Sequence, residues 1–291
     1  MKYVMPLHAL YYNGNRPYEF ADGIHSIRKF SRFRVGAISY FFSRNDRFNM
    51  SDCRWALVLD SPEMNPINYK TFLGNTESII LAFKIFCNAS LFVKYRICAD
   101  DPLRHIRVNN AMMYWHELSN RRNRPELIER TRRRRWLNLD DFRRVDETHT
   151  KFTEMWNLSD RTHNAVNFAM NAYRSQLWRD SFIYYIFALE ALFSSNQRRG
   201  MTGTIARRVS SFLDKADFCT EQDLRRLYDA RSTIVHGKLP RAGLGGWDPN
   251  ILATAQAEYI VAQTMRKMVN DDSFRNYELA NKAHRFLNRF D

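Results

Sequence analysis

The sequence predicts a mainly α protein: a smaller α+β region over residues 1–135, followed by a helical bundle over residues 136–291. Three observations carry that expectation. Only 10 Gly and 8 Pro occur in 291 residues, and hydrophobic residues make up 45 %, which is ample material for a core. Short aromatic and β-branched runs cluster in the first 100 residues. From Asn138 onward the apolar spacing is helical almost throughout, and five or six successive helices without strands make an all-α bundle.

Residues 3–12, 33–42 and 54–60 read as strands. Residues 76–88 read as a helix, because Ile79, Ile80, Phe83 and Cys87 fall on one face. Residues 91–98 read as a further strand. The segment 121–135 holds Arg121, Arg122, Arg124, Arg130 and the run 132–135, with Pro125 between. Two readings stand for it: a solvated linker or helix start, and a phosphate-contacting surface.

Asn138 is a good N-cap, with Asp140 and Asp141 in the first turn of a helix whose stripe runs Leu139, Phe142, Val145, Phe152, Met155 and Trp156. Ser159 and Asp160 open the next helix, to about Tyr173, and residues 176–195 form a strongly apolar one. Residues 202–214 carry Ile205, Val209, Phe212 and Leu213 on one side. Residues 220–236 begin with a capping box from Thr220 to Asp223. Gly237, Pro240, Gly243, Gly245 and Gly246 break the chain, and helices over 251–269 and 273–290 complete it.

Lys+Arg is 45 against 31 Asp+Glu, a net charge of +14, and 35 of the 45 are Arg. Arg forks match phosphate oxygens bidentately and stack on bases, so the balance points to a polyanion, nucleic acid above all. Cys53, Cys87, Cys98 and Cys219 show no metal-ligand spacing and no disulfide framework, so reduced thiols are expected. No signal segment is legible, and no apolar run approaches the roughly 20 residues of a membrane span. The expectation is a cytoplasmic protein that does not engage membranes. The pairs Asp100-Asp101, Asp140-Asp141 and Asp271-Asp272 fit loops and helix starts better than metal sites, His116-Glu117 lacks the second His of a zincin, and Gly200 and Gly203 make no P-loop. No metal and no cofactor are expected.

The segment richest in chemistry is Tyr228–Gly237. Arg231 and His236 are five residues apart, about 140° around a helix, while Ser232 and His236 are four apart and share a face. The long Arg231 side chain reaches that edge. An Arg, a hydroxyl and a His gathered there can contact one phosphate, with the imidazole moving protons and the guanidinium neutralising charge. The plainer reading is a His that closes a helix C-terminus before Gly237.

Arg231–His236 reads as R-x4-H. It follows Ala188-Leu189-Glu190-Ala191-Leu192-Phe193 and Ile205-Ala206-Arg207-Arg208-Val209, and is closed by His236-Gly237. In this order the blocks resemble the HEPN superfamily, most of all its Apea-like branch, over about residues 161–290. The resemblance implies an antiparallel helical bundle that dimerises with its R-x4-H motifs facing each other. It also implies a metal-independent endoribonuclease of a toxin–antitoxin, abortive-infection or antiphage defence system, with RNA as substrate and an antitoxin or other regulatory protein as a possible partner. Carried onto this chain, His236 is the general acid/base and Arg231 holds the scissile phosphate. Ser232 stands where the family more often has Asn, Asp or His. Glu190, in so apolar a helix, needs a donor, either Arg231 or an N–H elsewhere. Arg198, Arg199, Arg207 and Arg208 flank a helix start and read either as phosphate contacts or, for Arg207 and Arg208, as structural ion pairs. Two rival readings remain: a non-catalytic HEPN module that binds nucleotide or protein, and a nucleic-acid-binding regulator without chemistry.

Overall fold

The computed structural model describes residues 2–8, 12, 14–30, 53–60, 69–87, 92–93, 95–98, 105–107, 137–175, 177–194, 201–214, 216, 219–237, 249–279 and 283–291. The strand expected at 33–42, the basic stretch 121–135, Arg198 and Arg199 lie outside them. The protein is mainly helical, with a small antiparallel sheet in its N-terminal part. It divides into two compact units: the described residues of 1–110 and 133–150 form the first, and those of 151–291 the second.

In the first unit the strands are β1 (Lys2–His8), β2 (Tyr18–Glu19), β3 (His25–Lys29), β4 (Trp55–Asp60), β5 (Phe92–Val93), β6 (Tyr95–Cys98) and β7 (His105–Arg107). They pair in the order β2-β3-β4-β1-β6-β7, with β5 also on β1, and every pairing is antiparallel. Trp55 to Leu59 are all buried, which fits the central place of β4. Helix α1 (Tyr69–Cys87) starts seven residues earlier than its apolar stripe announces, and Ile79, Ile80, Phe83 and Cys87 are buried as that stripe predicts.

Strand β3 is the element the pattern conceals. Its sequence, His-Ser-Ile-Arg-Lys, is polar, yet His25, Ser26 and Ile27 are buried. The polar groups are satisfied: His25 Nδ1 lies 2.5 Å from Asp22 Oδ2, and its Nε2 lies 2.9 Å from Thr76 Oγ1 on α1. Asp22 and Gly23 form the preceding turn, where Gly23 takes φ +67°. Burial alone would raise the Asp22 carboxyl. The hydrogen bond and charge of His25, with the backbone N–H groups of His25 and Ile24, outweigh it and hold the group at about 2. A carboxyl depressed in the fold stabilises above its unfolded value and loses that contribution as pH falls toward the folded one. Asp22→Asn is therefore expected to lower stability by up to about 2 kcal/mol at neutral pH, a gap that closes between about pH 4 and pH 2. Melting curves of both proteins across that range check this; a gap that persists at pH 2 refutes it.

Helix α2 (Leu139–Trp156) opens as its cap predicts. Asn138 Oδ1 accepts the Asp141 N–H, and Asp141 Oδ2 accepts the Asn138 N–H. Phe142 packs among Tyr12, Tyr18 and Phe83 with ring centroids 4.7–5.4 Å away, and His149 Nε2 lies 2.6 Å from Ser78 Oγ. Asp146 accepts the Tyr18 hydroxyl and the Ala21 N–H. These contacts tie residues up to Thr150 into the first unit, so the division falls inside α2 and not at residue 135. Leu139, expected on the buried stripe, is exposed.

The second unit continues with α3 (Asp160–Arg174), α4 (Trp178–Phe193), α5 (Met201–Phe212), α6 (Glu221–Val235), α7 (Pro249–Asn270), α8 (Asp272–Leu279) and α9 (Ala283–Leu287), then a 3-10 turn at Asn288–Phe290. The helix expected over 273–290 ends in that 3-10 turn. The apolar α4 is the centre: it packs against α3, α7, α5 and α6, and buries Phe182, Ile186, Leu189, Leu192 and Phe193. Ser159 caps α3 with a reciprocal Thr162 box, and its hydroxyl also donates to Glu278 on α8. Arg161 pairs with the same Glu278 at 3.0 Å and donates to the Leu192 carbonyl at the end of α4. Phe212, Phe286 and Phe290 form an aromatic cluster that fastens the last turn to α5.

Cys53 and Cys87 in the first unit and Cys219 in the second are buried. Burial, with the charge of Asp223 adding to it, pushes the Cys219 thiol up to about 12. No helix among the described residues is long and apolar enough to cross a membrane.

Candidate functional site

Helix α6 positions the residues of the R-x4-H segment. Its start is fixed by the predicted capping box: Thr220 Oγ1 accepts the Asp223 N–H, and Asp223 Oδ2 accepts the Thr220 N–H. Leu224, Leu227 and Tyr228 are buried and hold one face. The helix stops at Val235. His236 takes the C-cap position and its backbone N–H bonds to the Ser232 carbonyl at 3.0 Å. Gly237 follows at φ +67°, the left-handed conformation that suits a glycine at a helix end, and its N–H bonds to Ile234.

Ser232, Val235 and His236 are exposed, so the last turn of α6 presents a hydroxyl and an imidazole to solvent. No hydrogen bond joins the side chains of Arg231, Ser232 and His236. What the fold brings together is Arg231, Glu190 and Phe187. Arg231 Nη2 lies 3.7 Å from Glu190 Oε2, and the guanidinium carbon lies 5.3 Å from the centre of the Phe187 ring. The pairing of Glu190 with Arg231, one of its two expected donors, is thus present, as a long ion pair without a hydrogen bond. Burial raises the Glu190 carboxyl and the charge of Arg231 opposes that rise. Arg231 Nε is buried and has no acceptor, and the same holds for the Tyr228 hydroxyl as a donor. Sequence reasoning missed Phe187 and Tyr228. The spacing contained a signal for the second, because Tyr228 and Arg231, three residues apart, share a helix face.

The flanking arginines separate. Arg208 is 2 % exposed. Its Nε and Nη2 donate to the two Asp291 carboxylate oxygens at 2.7 Å each, and Nη1 donates to the Phe193 carbonyl at 3.0 Å. Its expected role as a phosphate contact is therefore corrected: its donors are spent inside the fold, and the ion-pair alternative holds. Arg208 draws the Asp291 carboxyl below its ordinary value. Arg207 is exposed and lines a cleft of about 500 Å³ with Arg289, Thr220, Glu221 and Asp291. None of Arg231, Ser232 and His236 lines that cleft.

Two further constellations carry chemistry-bearing groups. Asp22, His25 and Thr76 form a carboxylate–imidazole–hydroxyl chain, and Ser78 meets His149. Thr76 and Ser78 are completely buried, so neither hydroxyl meets a substrate, and both sets serve the core. Among the described residues no group of three or more His, Cys, Asp or Glu is placed to hold a metal ion. No family model, curated protein or solved structure matches the chain.

Proposed function

We propose that the protein is a metal-independent endoribonuclease of the HEPN type that acts as a homodimer in a toxin–antitoxin, abortive-infection or antiphage setting. The observation that supports this most is the state of Arg231. It stands one residue from the exposed last turn of α6, within one chain segment of an exposed His236, and its guanidinium makes no hydrogen bond, only a 3.7 Å ion pair and a contact with the Phe187 ring. Such a cation is available to a phosphodiester. Arg208, three donors spent, shows the contrast.

The chemistry needs few groups. The RNA 2′-oxygen attacks the adjacent phosphorus, the bond to the 5′-oxygen breaks, and a 2′,3′-cyclic phosphate forms. One imidazole takes the 2′-hydroxyl proton and another gives a proton to the leaving 5′-oxygen. His236 supplies one of these and the same residue of a second copy supplies the other, which is why a homodimer belongs to the reading. Arg231 stabilises charge that builds on the phosphoryl oxygens. Ser232 adds a polar contact on the same edge. Arg207 and the net charge of +14 favour the approach of a polyanion.

The test is the chemistry of the ends. The purified protein is expected to cut RNA with EDTA present, leaving 2′,3′-cyclic phosphate and 5′-hydroxyl termini. Dependence on Mg²⁺ with 5′-phosphate products refutes the mechanism. Binding of RNA, nucleotide or a protein partner without cleavage replaces the enzyme by a non-catalytic binding module.

A further inference from the structure

Four buried side-chain nitrogen or oxygen atoms among the described residues lack a hydrogen-bond partner, and two of them, Arg231 Nε and the Tyr228 hydroxyl, stand three residues apart on α6. Buried polar atoms are paired almost without exception, so two orphans on one helix face call for an explanation. Tyr228 is 5 % exposed. Burial raises its phenol, the charge of Glu190 raises it further and that of Arg231 lowers it, so the ring feels both members of the ion pair and stays protonated. It is a hydrogen-bond donor with nothing to donate to.

Glu190 supplies the missing half. Its ion pair with Arg231 is long, and its carboxylate is half-buried. When Arg231 turns toward an oxyanion, that carboxylate loses its countercharge in a poorly solvated place, which is costly unless another donor arrives. We infer that Tyr228 is a positioning residue of this site, whose hydroxyl takes over the Glu190 carboxylate as the Arg231 guanidinium leaves it for a phosphodiester. Tyr228 then replaces Arg231 as the partner of one carboxylate, a hydrogen bond in place of a long ion pair. The identity of the oxyanion rests on the ribonuclease reading; the exchange of partners does not.

The test therefore needs no RNA. Arg231→Met imitates departure of the guanidinium while keeping an apolar stem over Phe187. Tyr228→Phe removes only the hydroxyl. Denaturant unfolding is measured for the wild type, both single variants and the double variant. With Arg231 present, Tyr228→Phe is expected to leave stability unchanged or to raise it, since the hydroxyl it removes is unpartnered. In the Arg231→Met background the same change is expected to shift the unfolding equilibrium about tenfold toward the unfolded chain, the weight of one hydrogen bond to a charged group. Adding Glu190→Met removes the acceptor and abolishes the difference. If Arg231→Met does not fold, Arg231→Gln takes its place. An equal cost for Tyr228→Phe in both backgrounds overturns the exchange, as does a coupling that survives Glu190→Met. Binding of a 2′-deoxy-blocked oligonucleotide gives the separate readout. Failure of the wild type to bind it, alongside a positive cycle, counts against the ribonuclease and not against the exchange.

Discussion

His236→Ala is expected to abolish RNA cleavage and to leave the fold intact. The imidazole is exposed at the end of α6, and the capping hydrogen bond runs from the backbone N–H, which alanine keeps. Stability should therefore change little. Loss of a positioned acid or base removes roughly 10²–10⁴ in rate, and in a symmetric dimer the variant loses both proton-transfer groups at once. Arg231→Ala should lower the rate by about 10²–10³ through lost charge stabilisation, and Ser232→Ala by less. Mixing His236→Ala with the wild type should lower the activity of the wild-type share if two copies build one site, because each mixed dimer keeps a single imidazole. Gel-based cleavage assays at matched protein concentration read all of these. Cleavage that survives His236→Ala removes the proposed mechanism.

Arg208→Ala is expected to cost about 3 kcal/mol. Breaking a buried, hydrogen-bonded ion pair costs some 3–5 kcal/mol, and the lower end applies because Asp291 is itself partly exposed. For a unit of this size that corresponds to a fall of roughly 10 °C in Tm. Three acceptors lose their donor together: both Asp291 oxygens and the Phe193 carbonyl, one of the last in α4. The ion pair joins α5 to the final turn, where Phe212 meets Phe286 and Phe290. Arg208→Met, which keeps most of the volume, should recover part of the loss. Calorimetry decides: a variant that melts like the wild type but binds RNA more weakly returns Arg208 to the phosphate-contacting group.

The neighbours Arg207 and Arg208 show what was legible in the sequence and what was overlooked. They are identical in type but about 100° apart on α5. Arg208 lies three after Ile205, beside Val209 and four before Phe212, all buried, so the periodicity already placed it on the inner face. Its role as an ion pair was a matter of spacing. The caps at Asn138, Ser159 and Thr220 were legible because they depend on residues three apart, and the structure has all three. Strand β3 was not, because His25 owes its burial to Asp22 in the turn and to Thr76, far along the chain. The order Arg231, Ser232, His236 could be read directly. The unpartnered Tyr228 hydroxyl could not, since a missing partner is a property of the packed helices and not of any one segment.

The buried cysteines turn the protein into its own stability probe. A thiol attacks an alkylating reagent as the thiolate, and Cys219, held near 12, supplies almost none at neutral pH while it stays enclosed. Modification then proceeds only through opened molecules, at a rate set by how often they open. Cys53 and Cys87 sample one unit and Cys219 the other. Peptide-resolved mass spectrometry of alkylation against time thus yields two separate opening equilibria from the unaltered chain, without dye, tag or engineered residue.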